Sequence, residues 1–106
     1  MKKFFTLFVL ALFVSVSLPT TVMANAQKGQ RIYKKKFRKK CGFSGVRFSR
    51  SHTQEEWKKL YEAKEFKEEA KKLCPRLEID KIKAPWWEHV YDFSYRYAKD
   101  GAVPKC

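Results

Sequence analysis

Residues 29–45 read Gly29-Gln30-Arg31-Ile32-Tyr33-Lys34-Lys35-Lys36-Phe37-Arg38-Lys39-Lys40-Cys41-Gly42-Phe43-Ser44-Gly45. Ile32, Tyr33 and Phe37 make one narrow apolar stripe at helical spacing, and the rest of the surface is cationic. This predicts a helix over Lys28–Lys40. Gly42 and Gly45 end it and make a turn. Lys34, Lys35, Lys36, Arg38, Lys39 and Lys40 crowd this helix, interrupted only by Phe37.

Upstream, Met1-Lys2-Lys3 is followed by a run without charge from Phe4 to Leu18, then Pro19 and the small-residue segment Val22-Met23-Ala24-Asn25-Ala26. This is the order of a secretory signal peptide. A bilayer span needs about 20 apolar residues, which argues against an uncleaved anchor. Cleavage after Ala24 or after Ala26 fits, and Ala26 is the preferred point. The expectation is a signal peptide over 1–26, one domain over 27–106 without a transmembrane span, and a periplasmic or secreted location. Of the 24 basic residues in the chain, ten lie between Gln27 and Gln54, where there is no acidic one. From Glu55 onward, twelve basic residues nearly balance eleven acidic ones.

Downstream, Thr53-Gln54-Glu55-Glu56 is a capping-box start. Trp57, Leu60, Tyr61, Phe66, Ala70 and Leu73 follow it. Their spacing slips near Ala63, which signals a bend or two shorter helices, and Cys74-Pro75 stops the segment. A last helix opens at Pro85 and runs to about Lys99. Trp86, Val90, Phe93 and Tyr97 share one face of it, while Trp87, Tyr91 and Tyr95 lie on the flank, partly exposed. No stretch alternates with period 2, so the class is all-α, a three- to four-helix domain with Tyr33, Phe37, Phe93 and Tyr97 in the core. A domain this small is often stapled, and export permits disulfides. Cys41, Cys74 and Cys106 are the candidates, with a bridge from Cys106 to Cys41 or Cys74 favoured because it would pin the tail.

No catalytic constellation is present: there is no G-x-S-x-G, H-E-x-x-H or P-loop. The carboxylates after Glu55 alternate with lysines as solvated helical pairs, such as Glu55–Lys59 and Glu68–Lys72. The protein is therefore not expected to be an enzyme.

Gly29, Tyr33, Gly42 and Gly45 together resemble the opening of the class I cytochromes c, G-x-x-x-[YF]-x-x-x-C-x-x-C-H-G-x-x-G. The capped Thr53–Trp57 segment is similar to the start of that family's middle helix. The resemblance implies that the last helix, with Phe93 and Tyr97, crosses the first at Gly29. The haem positions depart from the family: Phe37 and Lys40 stand in the cysteine slots and Cys41 in the histidine slot. Met1 and Met23, the two methionines, both fall in the signal, so no distal methionine remains. Covalent haem is excluded by this route.

The resemblance and the charge together imply an exported, non-catalytic accessory protein without covalent haem. It would dock an acidic partner through Lys34, Lys35, Lys36, Arg38, Lys39 and Lys40. Respiratory redox proteins are among the partners the resemblance implies. A second expectation is a periplasmic electron carrier using noncovalent haem, with Cys41, His52 and His89 as weak ligand candidates, or a redox-active Cys41 thiol. A third is a helical protein that binds a polyanion or an anionic membrane surface. A zinc site from the three cysteines and one histidine has suitable ligand types but long spacings. Nucleic acid would suit the charge, but export and the lack of a reading motif count against it.

Overall fold

The computed structural model describes the backbone of residues 18–103 and the side chains of residues 25–103. The signal-peptide segment before Leu18 and the tail cysteine Cys106 therefore lie outside the described residues. Within them the chain is helical and contains no strand.

The first helical rod is longer than the sequence predicts. It comprises α1 (Leu18–Ile32), a π-helical turn (Tyr33–Phe37) and α2 (Arg38–Cys41), joined end to end. Pro19 sits in the first turn, where a missing N–H costs nothing. No breaker follows until Gly42. That glycine adopts φ +80° and returns its N–H to the Arg38 carbonyl at 2.9 Å, a left-handed helix stop that suits a residue without Cβ. The π turn is marked by the Arg38 N–H, which donates to the Tyr33 carbonyl. The widened turn keeps Tyr33 and Phe37, four residues apart, both buried, while Lys34, Lys35 and Lys36 between them are exposed.

A short helix the sequence did not predict, α3 (Gly45–Ser49), follows, capped by Ser44, whose hydroxyl accepts from the Arg47 N–H. The segment after Thr53 is two helices, α4 (Gln54–Glu62) and α5 (Phe66–Leu73). They break at Lys64, whose φ is +61°, beside the Ala63 slip in spacing. The expected capping box is present: the Thr53 hydroxyl accepts from the Glu56 N–H, and the Glu56 carboxylate accepts from the Thr53 N–H at 2.8 Å. A 3-10 turn (Ile79–Lys81) leads to α6 (Ala84–Arg96).

α6 is the central element, packed against α1, α3 and α4. Because it is covered from several sides, its buried face is wider than one stripe. Trp87, expected on the flank, is buried at 4% exposure, whereas Trp86, expected on the apolar face with Val90, Phe93 and Tyr97, is partly exposed. Tyr97 is likewise only partly buried, and Tyr33, Phe37 and Phe93 are core as expected. At the α1–α6 crossing, a Cβ on Gly29 would overlap the His89 carbonyl and lie 2.9 Å from the Phe93 Cβ.

The core is an aromatic circuit. Phe37 meets Phe48, Phe48 stacks on Trp57, Trp57 meets Phe66, Phe66 meets Trp87, and Trp87 returns to Phe37, with ring centroids 5.3–6.2 Å apart. Offset and edge-on pairs of this kind add stabilisation beyond their buried area. The Trp57 indole N–H is satisfied by the Ser49 carbonyl at 2.8 Å.

Cys41 is bonded to Cys74, with the two Cα atoms 4.5 Å apart. This corrects the favoured pairing, since neither cysteine is left to partner Cys106. The end of the rod is thereby stapled to the end of α5. The C-terminal turn is tied down by hydrogen bonds instead. The Lys99 N–H donates to the His52 carbonyl, the Ala102 N–H to the Arg96 carbonyl, and the Asp100 carboxylate accepts from the Gln54 N–H at the start of α4.

Candidate functional site

All six predicted cations, Lys34, Lys35, Lys36, Arg38, Lys39 and Lys40, are exposed, and the structure brings them together on one rod. Like charges three and four residues apart on a helix repel one another. The rod is held against that repulsion by burial of Tyr33 and Phe37, by the disulfide at its end, and by the favourable placement of cations near a helix C-terminus. Among the described residues, Lys40 is the one member of the six that meets a carboxylate, with its Nζ 3.6 Å from Glu78. Glu78 is shared with Lys81 at 2.8 Å. Its acidity is increased first by the Lys81 hydrogen bond and charge, and then by Lys40.

One side of the rod forms a shallow groove with the start of α6. It is lined by Lys28, Arg31, Ile32, Lys35, Lys36 and Trp86 and has a volume of about 240 Å³. The Lys36 and Lys83 ammonium groups lie 5.6 and 5.0 Å from the centre of the Trp86 ring, within cation–π range. The groove thus combines four cations with a partly exposed indole. Lys28 and Arg31 were not among the predicted docking residues. Their spacing of three from each other, and of four from Arg31 to Lys35, is the signal that places them on one helix face.

A second groove, of about 620 Å³, which the sequence did not reveal, is walled by Tyr61, Phe66 and Trp87 and rimmed by Glu62, Glu88 and Lys67. Tyr61 stacks on Tyr91 there, with ring centres 4.0 Å apart. The two residues belong to different helices, so no local pattern pairs them.

The weak haem-ligand candidates have other roles. Cys41 has no thiolate to offer because its sulfur is bonded to Cys74, and a zinc site built on the three cysteines is dismantled by the same bond. His52 lies edge-on to Trp57, with its Nε2 2.7 Å from the Glu69 carboxylate and its Nδ1 3.7 Å from Glu56. It joins α5 to the start of α4. His89 lies at the α1–α6 crossing, where its Nδ1 is buried without a partner among the described residues. Among the described residues, no three His, Cys, Asp or Glu side chains are arranged to hold a metal ion.

Together these features define an all-helical, disulfide-stapled domain with a cationic rod on its surface and a side-chain-filled aromatic core. No family model, curated protein or solved structure matches this chain. No helix among the described residues is long and apolar enough to cross a membrane.

Proposed function

We propose that this chain is an exported, cytochrome c-like accessory protein without haem, which docks an acidic partner through its cationic rod. The observation that carries the docking role is the exposure of six clustered cations, five of them without a carboxylate partner among the described residues. A surface field of this kind steers anionic partners and speeds their encounter. The groove beside Trp86 adds an apolar contact to the charge.

The cytochrome c-like part of the proposal is supported by the resemblance together with the close approach of α6 to Gly29 and the capping box at Thr53. The haem-free part is supported by what fills the family's haem-attachment positions. Phe37 is fully buried in the aromatic circuit, Lys40 is exposed and paired with Glu78, and Cys41 is in a disulfide. The ring-to-ring contacts of the circuit support a core filled by side chains.

The docking role is tested by binding of a polyglutamate chain and of acidic proteins from the exported fraction as salt is raised. Affinity falls steeply towards ~1 M salt, where the Debye length is only ~3 Å, and the triple substitution K34E/K35E/K39E weakens it by about tenfold or more. Affinity that is independent of both salt and these charges would contradict the proposal.

A further inference from the structure

Two cleavage points fit the export signal, after Ala24 and after Ala26, and each has small or apolar residues one and three positions before the cut. The structure distinguishes them. Ala26 is fully buried and opens the seam that continues through Gly29, Tyr33 and Phe37, at spacings of three, four and four. Asn25, half-buried beside it, lies next to the Asp92 carboxylate on α6. Gln27 is exposed. A cut after Ala26 therefore removes a fully buried residue and its half-buried neighbour and starts the chain on an exposed one. A cut after Ala24 keeps both.

We infer that the mature protein begins at Asn25, released by hydrolysis of the Ala24–Asn25 bond. Water adds to the Ala24 carbonyl carbon and the C–N bond to Asn25 breaks. Ala24 leaves as a carboxylate, and the Asn25 nitrogen takes up a proton to become the new α-ammonium. The agent is an export-associated endopeptidase that accepts small residues before the cut, acting on the chain before α1 packs on α6. The cut also places a positive charge on the residue that already contacts Asp92. That carboxylate is half-buried and faces Glu88 on its own helix. Burial and then Glu88 push its pKa up, while Asn25 and His89 pull it down.

The inference rests on the export reading, and one experiment separates the two. The full chain is expressed in an exporting host, the protein is purified from the exported fraction, and its N-terminus is read by sequencing and intact mass. A start at Asn25 is expected. A start at Gln27 overturns the inference and leaves export standing, whereas an intact Met1 start overturns both. V22K alters the position three before the Ala24 cut but leaves the Ala24/Ala26 pair untouched. It is expected to slow processing at least several-fold, and processing at an unchanged rate would overturn the inference.

Discussion

Gly29 in α1 lies directly against the backbone carbonyl of His89 in α6, so closely that no side chain fits between the two helices. The last helix is thereby held on the first, and the surrounding core forms from residues far apart in the chain. Replacing Gly29 with alanine forces the helices apart. The gain in helix propensity, about 1 kcal/mol, is outweighed by overpacking against backbone, which typically costs 1–3 kcal/mol and more where backbone must move. G29A is expected to lower the unfolding free energy by about 2 kcal/mol in urea melts. Unchanged stability would show that the crossing is looser than described.

The Cys41–Cys74 bond joins cysteines 33 positions apart in sequence and is worth roughly 3–4 kcal/mol on the chain-entropy account. Reduction, or C41S/C74S, is expected to lower the melting temperature by more than ~10 °C, whereas C106S leaves it unchanged. Peptide mapping of the oxidised protein should recover the Cys41 peptide linked to the Cys74 peptide. A link to Cys106 would refute the pairing.

Phe37 is fully buried and closes the aromatic circuit between Phe48 and Trp87. F37A removes the ring from this fully buried position, and a loss of about 3–5 kcal/mol is expected. F37L keeps most of the volume and should cost clearly less. Equal losses would mean that ring contacts, not volume, dominate there.

Stability at high pH depends on the buried tyrosines. Tyr33 donates its hydroxyl to the Phe43 carbonyl at 2.9 Å, and burial raises its pKa well above the ordinary value despite Arg38 nearby. Burial, helped by neighbouring Tyr95 and Asp92, raises Tyr91 to about 12. The unfolded chain ionises its tyrosines near ~10, so it releases these protons first. Stability from this source is complete below about pH 10 and is lost as pH rises beyond it towards the folded-state values. Phenolate absorbance should rise late and together with loss of helical ellipticity. All five tyrosines ionising near pH 10 with the helices intact would contradict this.

The helical class, the Thr53 cap, the break near Ala63 and the seam through Tyr33 and Phe37 were legible because each is written in residues close together in sequence. The widths of buried faces were not. Trp86 and Trp87 exchange places relative to expectation because α6 is covered from several sides, which a one-stripe pattern does not record. The cysteine pairing escaped for a related reason, since it depends on where the end of α5 meets the end of the rod. The cationic cluster was visible by count alone. Its organisation around Trp86 needed the packing of α6 beside α1.

We propose that side chains and a disulfide fill the interior where the resembled family would carry haem. The absorption spectrum of the protein purified from its native host, oxidised and after reduction with dithionite, tests this. Aromatic absorbance alone is expected, with no Soret band in either state. A Soret band at stoichiometric intensity would contradict it.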